Sequence, residues 1–150
     1  GRRIIREAAE HAATRQQFGR PIGEFQAVSH PLADCWMRLD AARGLARRAA
    51  WAFEQADPQE TQYRAAVARR SATRAAVEAA HVAHQVFGAV GITLEGPAFH
   101  ISRRIRQWAS EASSWSNSQN PVLGAWEVGA TQGVKPWGVE ERRSDARKQD

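Results

Sequence analysis

The stretch that decides the fold is residues 24–55, EFQAVSHPLADCWMRLDAARGLARRAAWAFEQ. Its apolar side chains recur in steps of three and four, which places them along one stripe of an α-helix. The stripe consists of Val28, Leu32, Cys35, Trp36, Leu39, Ala42, Ala46, Ala50 and Phe53. A helix of this length would span roughly 45 Å at about 1.5 Å per residue, and helices this long favour a bundle.

The region before this helix is also helical in pattern. Residues 2–18 carry apolar side chains near one face, namely Ile4, Ile5, Ala8, Ala12 and Ala13. The segment GRPIG at 19–23 then breaks the pattern, because glycine and proline interrupt helices. The sequence therefore predicts one helix that ends near residue 18 and a second that begins near residue 24.

Two more helices follow. Asp57-Pro58 is a turn signal, and the next helical pattern covers about residues 60–87. Pro97 suits the first turn of a helix over about 97–112, whereas the glycine-rich segment between these two helices is expected to form a loop without helix. The sequence thus predicts an all-α fold, an antiparallel four-helix bundle over 1–112, with an irregular C-terminal extension over 113–150.

Composition bounds the partners and the compartment. The 150 residues contain 21 Lys and Arg against 16 Asp and Glu, for a net charge of +5. The acids are interleaved with the bases, which argues against a nucleic-acid partner, although a basic helical nucleic-acid binder is an alternative that composition leaves open. No apolar run approaches the ~18 residues of a membrane span. The single cysteine, Cys35, excludes an internal disulfide and favours a cytoplasmic location.

Two irregular segments carry the chemistry, RQQFGRPIGEFQ at 15–26 and HQVFGAVG at 84–91. In an up-and-down bundle the ends of the first and third helices lie at the same end of the molecule, which would bring these segments together. An arginine neutralises phosphate, glycines let backbone N–H groups approach an anion, and amides read base edges. The pair suggests a nucleotide clamp, and the alternative is two ordinary glycine-rich helix ends.

These segments also carry a family resemblance. RQQFGRPIGEFQAVSHPLAD (15–34) resembles the R-x-x-F-G-x-x-I-x-x-F-Q-x-x-x-x-x-L-A-D signature of acyl-CoA dehydrogenases. HQVFGAVGITLEGP (84–97) resembles the family's Q-x-x-G-G-x-G-x-x-x-E-x-P segment, and the two motifs occur in the family's order. The resemblance covers about residues 1–112 and implies the C-terminal helical bundle of a flavin-dependent enzyme that desaturates an acyl-CoA thioester between its α and β carbons.

The resemblance also implies a cofactor, partners and site residues. The cofactor is FAD, the substrate is an acyl-CoA, and the electron acceptor is a flavoprotein or another oxidant. The bundle would contact the FAD of a neighbouring subunit in a homo- or hetero-oligomer. Arg15 would contact the FAD pyrophosphate with Gln17 and Phe18 beside it, Gln26 would approach the adenosine portion, and the loop against the pyrophosphate and adenine would contain Gln85, Gly88 and Ala89.

This chain departs from the family pattern in the loop motif and around the catalytic base, where the arginine that usually follows the base also has no clear counterpart. Ala89 replaces the second glycine of the loop motif. Many family members carry a glutamate base in an E-G-T triplet after the fourth helix, where an ungapped alignment gives Ala112-Ser113-Ser114. A one-residue gap makes Glu111 the candidate base, and other members carry the base on the first helix, upstream of Gly1. The catalytic residue is therefore left unassigned, and a non-catalytic partner subunit of a heteromeric acyl-CoA dehydrogenase is the alternative.

The histidines provide one further candidate. His81 and His84 have the i, i+3 spacing of a metal-ligand pair, and Glu78 is the nearby carboxylate. With no Asp, Glu or Cys other than Glu78 to complete a set, we expect packing or surface histidines and no metal site.

Overall fold

The computed structural model describes residues 1–55 and 57–116, and four of its five α-helices are long. The predicted all-α class is confirmed, and the part of the predicted extension at 117–150 lies outside the described residues. The last helix continues four residues beyond its predicted end at 112. The elements are α1 (Arg2–Thr14), β1 (Gln16–Gln17), β2 (Arg20–Pro21), a 3-10 turn (Ile22–Glu24), α2 (Gln26–Gln55), α3 (Pro58–Phe87), α4 (Ala89–Ile92) and α5 (Pro97–Ser116).

The frame of the molecule is the hairpin formed by α2 and α3, each 30 residues long. Asp57 caps α3, because its carboxylate accepts hydrogen bonds from the backbone N–H groups of Gln59 and Glu60 at 2.8 and 3.0 Å. Pro58 occupies the first helical turn, where its missing N–H has no helical partner to lose. The turn predicted at Asp57-Pro58 is therefore where the chain reverses.

The direction of α1 follows from contacts at its two ends. Near its start, the Arg2 guanidinium lies 3.3 Å from the Asp40 carboxylate in the middle of α2. Near its end, the rings of His11 and Phe87 have centroids 5.0 Å apart. Since the chain then enters the first turn of α2 through a short linker, α1 runs antiparallel to α2 and parallel to α3.

The direction of α5 is fixed by a bond to α3. His84 Nε2 and Ser102 Oγ are 2.8 Å apart, so the first turns of α5 lie beside the last turns of α3. α5 is therefore antiparallel to α3, and α1, α2, α3 and α5 form the predicted antiparallel four-helix bundle. None of the described helices combines the length and apolarity that a bilayer crossing requires.

The expectation of no helix between α3 and α5 is wrong at one point. Residues 89–92 form a single helical turn, α4, and the chain reaches α5 only after it. A Cβ added to Gly91 would lie 2.9 Å from the Phe87 Cβ, and one added to Gly96 would lie 2.1 Å from the Val90 carbonyl oxygen. These two glycines therefore permit close packing of the helical turn. The prediction had treated the glycines of this segment only as residues that exclude a helix.

The core is small in side-chain volume and contains many alanines. Its contiguous cluster draws on α1, α2, α3 and α5, and Ile4 and Cys35 are the largest fully buried side chains. The cluster consists of Ile4, Ile5, Ala8, Ala12, Leu32, Cys35, Leu39, Ala42, Ala75, Ala79, Ala80, Ala83, Phe87, Ala98 and Ile105. Small side chains let helix backbones approach closely, so the bundle is tight around α1.

The predicted inward faces are mostly right near the end of the bundle where α1 and α3 finish, and wrong farther out along α2. On α1 the prediction holds except at Ala13, which is exposed. On α2 it holds to Ala42 except at Trp36, which is exposed. Beyond Ala42, the side chains of Ala46, Ala50 and Phe53 face solvent and Ala52 is buried instead. The steps of four chosen after Ala42 advance the stripe faster than 3.6 residues per turn allows.

Candidate functional site

The two irregular segments lie at one end of the bundle. His11, four residues before Arg15, contacts Phe87, which is two residues after Gln85. The end of α1 and the end of α3 are therefore neighbours, as the up-and-down arrangement predicts. We call this region, residues 15–26 and 84–91, the clamp end.

The first segment is a β-hairpin and not a simple linker. Gln16 pairs with Pro21 and Gln17 with Arg20 in an antiparallel ladder. The two residues at its tip have positive φ, 54° at Phe18 and 81° at Gly19, as a two-residue type I′ turn requires. Phe18 is 92% exposed, so a large apolar side chain stands at the tip on a backbone that disfavours it.

The base of the hairpin fixes the backbone of Arg15. Its N–H donates to the His11 carbonyl at 2.8 Å, and its carbonyl accepts from the Ile22 N–H at 2.8 Å. The Arg15 side chain is exposed and has no ion pair or hydrogen bond with any residue in the described part of the chain. A guanidinium on a fixed backbone with no internal partner is suited to an anion from another molecule.

A second cation in the hairpin is already engaged. The Arg20 guanidinium lies 4.1 Å from the centroid of the Phe25 ring and 4.0 Å from the Glu24 carboxylate. The Phe25 ring meets Phe18 edge to face, with centroids 6.1 Å apart. The sequence did not predict this cluster, because a five-residue separation between Arg20 and Phe25 does not by itself indicate a contact in an irregular segment.

The second segment presents the end of α3. Gly88 has a positive φ of 60°, and its N–H donates to the His84 carbonyl at 2.9 Å, which ends α3. A residue with a side chain is disfavoured at this φ, so the glycine is explained by the backbone alone. Ala89, where the family has its second glycine, is exposed and begins α4.

Exposure is what the predicted cofactor-binding residues share. Every one of them is exposed at the clamp end, where Gln26 is also the first residue of α2. Gln17 turns back on its own backbone, with its Nε2 donating to the Gln16 carbonyl at 2.7 Å. The residues are Arg15, Gln17, Phe18, Gln26, Gln85, Gly88 and Ala89.

Glu111, the candidate base, is not brought to the clamp end. It lies fourteen residues after Pro97 on α5, about 20 Å along a helix that leads away from that end. Its carboxylate is exposed and accepts a hydrogen bond from the Gln107 Nε2 at 3.5 Å. At this distance along α5, Glu111 does not contact a ligand held at the clamp end.

His81 and His84 lie one turn apart on α3, and His84 bonds Ser102. Within residues 1–55 and 57–116, no three His, Cys, Asp or Glu side chains are grouped so that they could hold a metal ion.

Comparison with known proteins supplies the family. Residues 1–110 match the family model described as acyl-CoA dehydrogenase, C-terminal domain. The chain is 40% identical over 89 residues to the L-prolyl-(peptidyl-carrier protein) dehydrogenase of Pseudomonas fluorescens, covering 59% of this chain and 23% of that protein. It is 35% identical over 102 residues to the short-chain specific acyl-CoA dehydrogenase of Megasphaera elsdenii, covering 68% of this chain and 25% of that protein.

A solved structure agrees with the sequence comparison. The crystal structure of an FAD-dependent dehydrogenase superposes on this chain with a TM-score of 0.67 at 30% identity. The matched region is 71% of this chain and 28% of that one. The chain spans about a quarter of the length of the curated relatives it matches.

Proposed function

The chain belongs to the acyl-CoA dehydrogenase family, and from that membership we propose that it is the C-terminal helical domain of an FAD-dependent enzyme that desaturates an acyl-CoA thioester between its α and β carbons. The observation that carries the proposal is the clamp end, where an unpaired Arg15 and the glycine-lined end of α3 are neighbours. Family membership identifies the domain, and the clamp end supports a specific role for it in binding the cofactor.

The role of the clamp end is to hold the dinucleotide part of FAD. Arg15 neutralises the pyrophosphate, because a guanidinium pairs with phosphate oxygens through several N–H donors. The exposed ring of Phe18 offers an apolar face, and the amides of Gln17, Gln26 and Gln85 offer donors and acceptors to the adenosine portion. Gly88 and Ala89 leave the backbone of the loop open to the phosphates.

FAD, when bound, would supply the hydride acceptor. The residues of this chain would bind and position the cofactor. All proposed contacts project outward from the bundle, which suits a flavin presented by a neighbouring subunit. The enzyme is thus a homo- or hetero-oligomer, with an electron-accepting flavoprotein or another oxidant as its redox partner. A cytoplasmic location, expected from the single cysteine, belongs to the same proposal.

The test is FAD retention by the full-length protein after Arg15→Ala. Loss of a charge-assisted hydrogen-bond donor costs about 1.5–3 kcal/mol, so FAD should bind roughly 10- to 150-fold more weakly. Equilibrium titration of the apoprotein with FAD, followed by flavin fluorescence, measures the change. Arg6→Ala is the matched control, since Arg6 is exposed on α1, the helix that ends just before Arg15, but lies away from the hairpin.

The outcomes separate clearly. Weaker FAD binding in Arg15→Ala with unchanged binding in Arg6→Ala supports the clamp. Equal retention by both variants contradicts the assignment of Arg15.

A second measurement addresses the alternative of a non-catalytic partner subunit. The full-length protein is assayed for acyl-CoA oxidation with an artificial electron acceptor, first alone and then mixed with candidate partner subunits. Turnover by the protein alone excludes the partner-subunit alternative. Turnover only in the mixture favours it, and FAD retention by the mixture still reports on Arg15.

A further inference from the structure

A groove of about 520 Å³ lies between α3 and α5, beside α4. That volume falls in the range of small-molecule sites. One lining residue, His84, lies in the second segment of the clamp end, but none of the lining side chains belongs to the set proposed above to hold FAD.

The rim of the groove is cationic. Arg103 and Arg106 are three residues apart on α5, which places both guanidinium groups on the same face. Both are exposed, and neither has a hydrogen bond, ion pair or ring contact with another described residue. Arg104, between them, faces elsewhere: it donates to Gln107 Oε1 at 3.0 Å and lies 5.1 Å from the Trp108 ring.

The charge of the groove is not compensated from within. His81, on α3, also lines the groove, and no carboxylate is among the side chains that line it. The apolar part of the lining is Phe99, which is half-buried, and Ile92, which is 70% exposed. A surface with two free guanidinium groups beside apolar carbon favours an anion that carries a hydrocarbon body.

The wall of the groove is held in place before any ligand arrives. Ser102 is 5% exposed, and its hydroxyl donates to the Phe99 carbonyl at 3.1 Å. The Ser102 Oγ also lies 2.8 Å from His84 Nε2, within hydrogen-bond distance. This contact ties α3 to α5, and a preformed site loses less entropy when it binds.

We propose that this groove binds a small organic anion, a carboxylate or a phosphate ester attached to a ring or a short chain. Arg103 and Arg106 hold the oxyanion through charge-assisted hydrogen bonds, and Phe99 and Ile92 contact the hydrocarbon. The proposal does not depend on the FAD assignment, since it rests on other residues.

The test is calorimetric titration of the FAD-loaded full-length protein with three probes. Inorganic phosphate carries the anion alone, phenyl phosphate adds a ring, and benzoate combines a ring with a carboxylate. Phenyl phosphate or benzoate should bind saturably and more tightly than inorganic phosphate, because only these two use the apolar lining. Whichever of the two binds more tightly identifies the preferred oxyanion.

Variants assign the binding to the groove. The double variant Arg103→Gln/Arg106→Gln should bind the preferred ring-bearing probe more weakly, on the order of tenfold or more, since both charged donors are lost. Arg43→Gln combined with Arg47→Gln is the matched control, because it removes two exposed arginines of α2 that lie outside the groove.

Ile92→Ser separates the two parts of the site. The substitution of this exposed residue should weaken the binding of the ring-bearing probes and leave the binding of inorganic phosphate unchanged. The proposal is overturned if no probe binds saturably, or if the Arg103/Arg106 variant binds the ring-bearing probes as the wild type does.

Discussion

The inner half of the α2–α3 hairpin, residues 26–42 and 75–87, packs against α1 and α5, whereas the outer half, residues 43–55 and 58–74, buries few side chains. The inner half belongs to the contiguous core, with Leu32, Leu39 and Phe87 among its members. In the outer half the buried residues are all alanines, at 52, 66 and 68, and none belongs to that core.

The difference shows where this alanine-rich fold obtains its stability. A buried Leu, Ile or Phe contributes about 1.5–3 kcal/mol relative to an exposed one, and such residues are buried in the inner half. The outer half exposes its large side chains, including Trp51 and Phe53. Its helices are supported by local devices, the Asp57 cap and the Glu60–Arg64 pair one turn apart. The clamp end is attached to the half that long-range packing holds.

The largest predicted effect compares an apolar truncation in the core that the inner half shares with α1 and one in the outer half. Ile4→Ala removes a fully buried side chain of α1 from that core and should lower the free energy of unfolding by about 2–5 kcal/mol. Phe53→Ala removes a ring that is 80% exposed and should change it by about 0.5 kcal/mol or less. Denaturant unfolding of the full-length protein followed by circular dichroism measures both. Equal losses in the two variants would refute the division into halves.

Two glycines give opposite predictions for the same substitution. Gly19 has a φ of +81° in the hairpin, so Gly19→Ala should cost locally about 1–2 kcal/mol. Gly44, in the outer half of α2, has open space around an added Cβ, so Gly44→Ala should stabilise the helix by about 0.5–1 kcal/mol. Amide hydrogen exchange at Ile22 and across α2 reports the two effects separately. A gain in protection at both sites would contradict the assigned backbone of the hairpin.

The cap of the outer half gives the next effect. Asp57→Ala removes the acceptor of two backbone N–H groups and should cost about 1 kcal/mol. Asp57→Asn keeps an acceptor oxygen at the same place and should lose much less. Hydrogen exchange at Gln59 and Glu60 is the readout, because fraying begins there. If Asn and Ala lose protection equally, the cap does not hold the hairpin turn.

The same comparison explains what the sequence could predict of the fold. The order and direction of the four long helices were predictable, because long apolar stripes and the Asp57-Pro58 turn are local signals. The inward face was predicted correctly where Leu32, Cys35 and Leu39 outline it. It was wrong beyond Ala42, because alanine occurs on both faces there and marks neither.

The site was predictable in place but not in shape. Motif order and bundle topology indicated that the segments containing Arg15 and Gln85 are neighbours. The hairpin was missed, because two-residue strands carry no alternation and because Phe18 is a poor residue for positive φ. The groove was missed as well, since it depends on how Arg103 and Arg106 of one helix face the end of another.

The smallest predicted effect concerns Cys35 and depends on pH. Burial raises the pKa of the Cys35 thiol, Glu78 and Asp34 add to the rise, and Arg38 opposes it. A raised pKa means that the folded state favours the neutral thiol. Its stabilising contribution is therefore complete below the ordinary thiol pKa of about 8.5 and is lost as pH rises from there toward the folded value, since the unfolded thiol ionises first.

Unfolding measured between neutral and alkaline pH should thus show a steeper loss of stability in the wild type than in Cys35→Ala, which lacks the thiol. At neutral pH the wild-type thiol should also react slowly with iodoacetamide, because the thiolate is the nucleophile and this thiol is 2% exposed. Ala50→Cys in a Cys35→Ala background places the same thiol on the exposed surface of the outer half, where alkylation should be fast. Equal rates at the two positions would mean that the inner half opens as readily as the outer half, and the packing around α1 would then not be what holds the clamp end in place.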